Sequence, residues 1–311
     1  MSQTEVDRLM TQRESGVEQA ARVLPLRLRS GVMSLPEDRR SQIEELRLRV
    51  GLPMAAVLPE GERALAGPPV TQQELEQLLE LASRASVHAV LDQLSRGYLT
   101  VQGGHRVGLC GTVALEDGAV RTIRKLSSAA VRVARQFPGA AEEVLPSLLE
   151  GGRLESALIL APPGLGKTTL LRDLIRGLSD GAEGVPPHRV AVVDERGEIA
   201  VMFQGIPQMA LGSHTDVLDA CPKALGIPIL LRSANPQVIA VDEITVREDL
   251  MAMSAAANCG VRFLATIHAA DRRELGRRPL FSHLLKEKVF EKLVTIRREE
   301  GQRQYLVEEL W

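Results

Sequence analysis

Apolar and polar positions alternate in two different ways along this chain. Near the start, Ile43–Val50 alternates apolar and charged residues, which predicts a strand with one buried face. Residues 71–82 instead place leucines three and four positions apart, which predicts a helix whose first turn is capped by Thr71 and Glu74. Short strand patterns separated by glycine turns continue to residue 123, so this part is predicted to be an α+β module.

The second half of the chain shows short, continuously apolar segments separated by helical patterns. Such segments are typical of strands that are buried on both faces, and they lie at 156–160, 190–193, 238–241 and 263–266. Helical patterns separate them, and apolar strands that alternate with helices form parallel sheets. We therefore predict an α/β domain with a mainly parallel sheet. A helix is predicted at 141–149, and a β-hairpin is predicted at 292–310.

The dipeptide Pro138-Gly139 interrupts regular structure between these two parts. A further helix is predicted before it, at 86–97. The first residues are polar with little periodicity, and we expect them to form a flexible start or a short helix. The predicted organisation is a flexible N-terminus at 1–20, an α+β domain at 21–137 and an α/β domain at 138–311.

The composition is that of an ordinary globular protein, with 44% hydrophobic and 25% charged residues. A net charge of −2 and an aromatic content of 3% argue against a surface that binds nucleic acid. No apolar run approaches the ~20 residues of a membrane helix, and the N-terminus does not resemble a secretory signal. We expect a cytoplasmic protein without a transmembrane segment. The cysteines have no metal-binding or redox spacing, since they stand at Cys110, Cys221 and Cys259.

A glycine-rich segment, APPGLGKT at 161–168, connects the first apolar strand of the second part to the helix that follows. Backbone N–H groups at a helix N-terminus bind phosphate, and glycines allow the backbone to fold closely around it. Lys167 is expected to reach the β- and γ-phosphates of ATP, and Thr168 to bind Mg²⁺. Ala161 replaces the usual first glycine, which is compatible with a negative φ. The predicted ATP-binding residues are Pro163, Gly164, Leu165, Gly166, Lys167, Thr168 and Thr169.

Pairs of carboxylates follow two of the apolar strands, as Asp194-Glu195 and Asp242-Glu243. The carboxyl ends of parallel strands border the ligand crevice in sheets of this kind. Asp242 is predicted to hold Mg²⁺, and Glu243 to activate the attacking water as a general base. Glu195 is the alternative for orienting water or metal, and the sequence leaves the division between Glu195 and Glu243 open.

Two further kinds of group are candidates for contacting the γ-phosphate. Thr266 and His268 end the fourth apolar strand, where they would face the nucleotide. If the site lies between subunits, an arginine from a neighbour would neutralise the charge that develops as the terminal phosphate bond breaks. The candidates for that role are Arg106, Arg132 and Arg232.

Six further segments carry a resemblance to a known family. They are IEELRLRVG at 43–51, GGHRVG at 103–108, VDERGE at 193–198, TDVLDACPKA at 215–224, LLRS at 230–233 and VDEI at 241–244. With the phosphate loop, they resemble the stage III sporulation protein AA family, which belongs with the secretion and pilus-motor ATPases. Thr245 departs from the glycine that the family has there. A related pattern occurs in plastid and cyanobacterial ATPases.

The resemblance implies a RecA-like P-loop ATPase domain preceded by a smaller α+β domain. It implies an acidic box around Asp194–Glu198, a histidine box at His268, and a homo-hexameric ring with ATP and Mg²⁺ between subunits. By analogy with the family, Arg106 and Arg132 rank above Arg232 as the arginine in trans. The ring would power or assemble a membrane channel complex during endospore formation. Its partners would be membrane proteins of that complex, on the mother-cell side of the forespore.

Two alternatives of other classes stay open. One is a nucleic-acid-dependent RecA-like ATPase, whose activity single-stranded DNA or RNA would stimulate. The other is an assembly scaffold that ATP regulates without being hydrolysed, and it would release no phosphate even when assembled.

Overall fold

The structure is a computed structural model that describes residues 15–83, 94, 97–116, 118–181, 184–269, 271–277, 279–299 and 302–311. Most of the expected flexible N-terminus, residues 1–14, and most of the helix predicted at 86–97 lie outside these residues. The chain forms two compact units. The first comprises Met1–Arg135 and Met202–Gln208, and the second comprises Gln136–Val201 and Met209–Trp311.

The first unit is built on a six-stranded antiparallel sheet, and this confirms the predicted α+β character. The strands are β1 (Glu45–Arg49), β2 (Ala55–Leu58), β3 (Gly61–Ala64), β4 (Tyr98–Thr100), β5 (Arg106–Glu116) and β6 (Ala119–Arg132). Their order in the sheet is β3-β2-β1-β6-β5-β4. The helices are α1 (Gly16–Ala20), α2 (Leu26–Met33), α3 (Glu37–Arg40) and α4 (Gln72–Ala82), with 3₁₀-helices at Ala21–Val23 and Gln102–Gly104.

The core of the first unit follows from the two periodicities of the sequence. Leu46 and Leu48 alternate with charged residues on β1, so both leucines share one buried face. They belong to the same core as Leu75 and Leu78 of α4. The predicted cap of α4 is confirmed, because the Glu74 carboxylate accepts from the backbone N–H of residue 71 and the Glu74 N–H donates to the residue-71 hydroxyl.

The second unit is an α/β fold around a seven-stranded sheet. The strands of this sheet are β9 (Ala157–Leu160), β10 (Val190–Asp194), β13 (Thr215–Asp219), β14 (Val238–Val241), β15 (Arg262–Ile267), β16 (Lys292–Glu299) and β17 (Gln302–Glu309). Their order is β13-β10-β14-β15-β9-β16-β17, and neighbours are parallel except in the β16–β17 hairpin, which confirms the mainly parallel sheet and the hairpin at 292–310. Two short pairs lie outside it: β7 (Leu149–Glu150) with β8 (Arg153–Leu154) here, and β11 (Met202–Phe203) with β12 (Ile206–Pro207) in the first unit.

Helices connect the strands of the second sheet. They are α5 (Lys167–Asp180), α6 (Lys223–Ser233), α7 (Arg247–Ala257), α8 (Arg272–Arg277) and α9 (Pro279–Glu287). The helix predicted at 141–149 is wrong: the segment forms turns and a 3₁₀-helix at Leu145–Leu148, because Pro146 has no N–H for an α-helical bond. None of the helices in the described residues has both the length and the apolar character that a bilayer crossing needs.

Candidate active site

The loop between β9 and α5 has a backbone that suits an anion. Gly164 has φ 80° and Gly166 has φ 95°, a region that favours glycine. Because α5 begins directly after Gly166, its first N–H groups have no partner within the helix and remain available to a ligand. A β-carbon on Gly164 would meet no atom of the described residues within 4 Å. The loop therefore offers amide donors beside open space.

Exposure within the loop falls from its tip towards the helix. Pro163 and Gly164 are exposed, Lys167 is buried, and half-buried positions are Leu165, Gly166, Thr168 and Thr169. Ala161 is not among the residues with positive φ, so its side chain adds no strain where the usual pattern has glycine.

The Lys167 ammonium group uses all of its donors within the site. Nζ lies 2.8 Å from the carbonyl oxygen of Ala161, 3.2 Å from that of Pro162 and 2.6 Å from Nδ1 of His268. An ammonium group has three N–H donors and no acceptor, so Nδ1 of His268 accepts and its Nε2 carries the hydrogen. Burial lowers the pKa of Lys167, while the charge of Glu243 raises it. To contact a phosphate, Lys167 must exchange one of these bonds.

His268 connects the lysine to the candidate base. Its Nε2 lies 3.4 Å from Oε2 of Glu243, and Nη1 of Arg196 lies 3.2 Å from the same oxygen. The Glu243 side chain is 25% exposed, so water can reach it. The backbone N–H of Ile244 donates to the carbonyl of the buried Thr266, which joins the two strand ends. Residues from the ends of β9, β14 and β15 thus form one chain of contacts.

Asp242 is buried against a lysine that the sequence reasoning missed. Nζ of Lys223, at the start of α6, lies 2.5 Å from Oε2 of Glu195 and 3.4 Å from Oδ1 of Asp242, and this lysine is only 2% exposed. Burial raises the pKa of Asp242 to about 6, although the charge of Lys223 lowers it in part. Burial lowers the pKa of Lys223, but Glu195 and Asp242 outweigh that effect and raise it overall. The sequence did contain a signal for this residue, because Lys223 lies within the family segment at 215–224.

The second oxygen of Asp242 fits a cation. Oδ2 is buried and has no hydrogen-bond partner among the described residues, and buried carboxylate oxygens normally have one. No cluster of three or more His, Cys, Asp or Glu side chains able to hold a metal occurs in that part of the chain. Mg²⁺ at a nucleotide needs only one or two protein ligands besides phosphate and water. Oδ2 of Asp242 can therefore serve as a protein ligand of Mg²⁺, with the Thr168 hydroxyl as the second ligand that the sequence predicts.

Asp194 has a structural role in the acidic segment. Its Oδ1 accepts the backbone N–H of Glu198 at 2.8 Å, and its Oδ2 accepts those of Ile199 and Ala200 at 3.0 and 2.7 Å. These charge-assisted bonds hold the loop after β10 in place. The carboxylate is fully buried, so Asp194 supports the neighbouring Glu195 rather than facing a ligand.

The three candidate arginines lie in different environments. Arg106 and Arg132 belong to the first unit and face each other on β5 and β6. The Arg106 guanidinium lies 3.5 Å from the ring centroid of Tyr98, and Nε of Arg132 lies 3.5 Å from Oε2 of Glu45. Arg232 is exposed near the end of α6 in the second unit. The role of an arginine acting in trans stays a prediction for all three.

Comparisons with known proteins show the family and the fold of the chain. The family described as "Sporulation stage III, protein AA" matches residues 14–306. The chain is 38% identical to Stage III sporulation protein AA of Bacillus subtilis over 285 residues, which is 92% of each chain. Its structure is similar to the Legionella pneumophila ATPase DotB (TM-score 0.55, 16% identity, 86% of this chain and 76% of the other). It is also similar to the pilus retraction motor PilT with bound ADP (TM-score 0.56, 16% identity, 87% and 80%). These likenesses confirm the predicted fold class, a RecA-like P-loop domain after a smaller α+β domain.

Proposed function

Because the chain belongs to the sporulation stage III protein AA family, we propose that it binds and hydrolyses Mg·ATP at the loop between β9 and α5. The observation that carries this proposal is the contact chain from Lys167 through His268 to Glu243 beside the glycine loop. The contacts bring an ammonium group, an imidazole and a carboxylate together, which supports roles for them in binding phosphate and activating water during phosphoryl transfer.

Each group then has a distinct task. The backbone amides after Gly166 and the Lys167 ammonium hold the β- and γ-phosphates. Thr168 and Oδ2 of Asp242 hold Mg²⁺, which neutralises negative charge on the phosphates when bound. Glu243 removes a proton from the attacking water. Glu195 is the weaker candidate base because the buried Lys223 holds its carboxylate at 2.5 Å, whereas the Arg196 that contacts Glu243 at 3.2 Å is exposed to solvent.

His268 couples phosphate binding to the base. When Lys167 turns towards a phosphate, Nδ1 of His268 loses this donor, while Nε2 stays 3.4 Å from Oε2 of Glu243. The orientation of the His268 imidazole then depends on whether a γ-phosphate is bound. The orientation of the Glu243 carboxylate beside it depends on the γ-phosphate in the same way. This is the sensing role that we assign to His268, with Thr266 supporting the strand end.

The family also favours a homo-hexameric ring with shared sites. A neighbouring subunit would supply Arg106 or Arg132, after release from Tyr98 or Glu45. The ring would power or assemble a membrane complex in endospore formation, with membrane proteins as partners. The net charge of −2 gives no support for nucleic acid as the partner.

The deciding experiment measures ATPase activity against protein concentration for the wild type, Lys167→Ala, Glu243→Gln and the exposed control Lys286→Ala. We expect a superlinear rise in the wild type and the control, no activity in Lys167→Ala, and a loss of about 10²–10⁴-fold in Glu243→Gln with ATP still bound. Wild-type activity in Lys167→Ala would refute the site.

The other outcomes separate the alternatives. Activity strictly proportional to concentration would refute shared sites without refuting hydrolysis. Strong, salt-sensitive stimulation by single-stranded DNA or RNA would favour the nucleic-acid-dependent ATPase. Nucleotide-dependent assembly without phosphate release would favour the scaffold.

A further inference from the structure

Arg303 of β17 lies against the phosphate loop of its own chain. A β-carbon built on Gly166 would stand 3.0 Å from Cζ, 3.1 Å from Nη2 and 3.2 Å from Nε of Arg303. Because Cζ is the nearest of three almost equidistant atoms, the flat face of the guanidinium covers Gly166. Glycine is therefore needed at this position for its φ of 95°, and a β-carbon there would also require the exposed Arg303 guanidinium to move by a few tenths of an ångström.

The hairpin register places Arg303 there. β16 pairs with β9, the strand that leads into the loop, and β17 pairs with β16 so that Arg303 faces Arg298. Tyr305 lies two residues further on and therefore on the same face of β17. Burial raises the pKa of Tyr305, and among the charges Arg303 lowers it while Glu143 and then Asp173 on α5 raise it. Because Gly166 directly precedes α5, the proximity of Arg303 to Gly166 shows that this face lies against the start of α5.

This placement concentrates positive charge. The N-terminus of α5 carries the positive end of the helix dipole, and Lys167 is buried in its first turn. No carboxylate in the described part of the chain forms a salt bridge with Arg303. Such an arrangement gains stability when an anion binds beside it.

We propose that Arg303 contacts the phosphate chain of the nucleotide from the same subunit as the loop, an inference that rests on the proposed function. The N–H donors of a guanidinium lie in its plane, so with its face on Gly166 they point along the surface of the loop. Phosphate oxygens accept such donors in pairs. Because this contact exists in the ground state and the transition state alike, Arg303 acts on nucleotide affinity, unlike an arginine that acts in trans on the reacting phosphate.

The test compares Arg303→Gln and Arg303→Lys with Arg297→Gln, which faces residue 304 and so lies on the other face of the hairpin. Affinity is measured by fluorescence anisotropy of a labelled ADP and by its displacement with unlabelled tripolyphosphate. We expect Arg303→Gln to weaken both about tenfold, as for the loss of a charge-assisted hydrogen bond, with kcat little changed. Arg303→Lys should recover part of the loss, and Arg297→Gln should match the wild type. Unchanged thermal unfolding midpoints establish that the variants fold.

Three results would overturn the assignment. Unchanged tripolyphosphate displacement in Arg303→Gln would mean that the arginine contacts base or ribose, or nothing. Tighter binding would mean that it obstructs the loop. An effect on kcat alone would place it in the transition state only. The variant Lys167→Ala distinguishes the two proposals. If Lys167→Ala loses nucleotide binding while Arg303→Gln binds normally, only the role of Arg303 is refuted. If Lys167→Ala keeps full binding and activity, the proposed ATP site itself is refuted.

Discussion

Replacing Asp242 by asparagine removes one buried negative charge while changing the size of the side chain very little. Asp242 is 4% exposed, its Oδ2 has no partner among the described residues, and Lys223 contacts only its Oδ1. Burial raises the pKa of this carboxyl from 3.8 to about 6 despite that lysine. The folded protein therefore holds the carboxylate at a cost in stability, as we expect for the proposed ligand of Mg²⁺.

The sign and size of this cost follow from the two pKa values. Between pH 3.8 and about 6, the folded state keeps a proton that the unfolded state has released, so this group makes stability fall as pH rises. At about 1.36 kcal/mol per pH unit, the difference between about 6 and 3.8 corresponds to ~3 kcal/mol, reached above pH 6. Asparagine avoids this cost, and its amide oxygen can still accept a hydrogen bond from Lys223.

Urea unfolding followed by the fluorescence of Trp311, the single tryptophan of the chain and part of the second unit, measures the effect. We expect Asp242→Asn to be more stable than the wild type by ~1.5 kcal/mol at pH 5 and by ~3 kcal/mol at pH 8. The exposed control Asp216→Asn on β13 should show no such difference. Asp242→Asn should also lose Mg²⁺-dependent hydrolysis. The reasoning would be refuted if Asp242→Asn were less stable than the wild type at pH 8, or if the difference in unfolding free energy did not grow with pH.

Three further predictions concern single buried groups. Lys223→Met leaves Asp242 and Glu195 without their shared cation, so urea unfolding should show a loss of ~3–5 kcal/mol, and a neutral result would contradict the ion-pair assignment. Asp194→Asn cannot accept all three backbone N–H groups; we expect a loss of at least ~2 kcal/mol and faster hydrogen exchange at 198–200, and unchanged exchange would argue against that role. Burial lowers the pKa of His105 from 6.5 to about 4, so the unfolded state binds a proton first as pH falls. The first unit should lose ~2 kcal/mol between pH 7.5 and 5, and thermal unfolding of His105→Gln should lack this component; an identical pH profile in wild type and variant would contradict it.

Much of the architecture is determined by local sequence. The apolar segments predicted at 156–160, 190–193, 238–241 and 263–266 form parallel strands in the structure, because a strand buried on both faces must be mostly apolar. The phosphate loop was also predictable, since positive φ at its glycines and free amides at a helix start are properties of neighbouring residues. The acids Asp242 and Glu243 and the polar end of β15 were found because parallel strands end at one edge of the sheet.

Other features were decided only by the tertiary structure. β13 is a half-exposed edge strand with polar residues, so it lacks the apolar run that marks the other strands. Residues 202–208 belong to the first unit although the chain on either side belongs to the second. No local pattern encodes either result, because a strand at an edge and a segment that returns to another core are defined by distant neighbours.

The partners of the charged groups show the same limit most clearly. The sequence alone indicated which residue types stand at the strand ends, but not that Lys223 would lie between Glu195 and Asp242, 28 and 19 positions away. It likewise gave no reason to connect Arg303 with Gly166, since that contact depends on the register of a hairpin two strands from the loop. Periodicity determines which face of a strand or helix is buried. Sheet order and register determine which charged groups meet. The burial and the partners that each group acquires in this way shift its pKa.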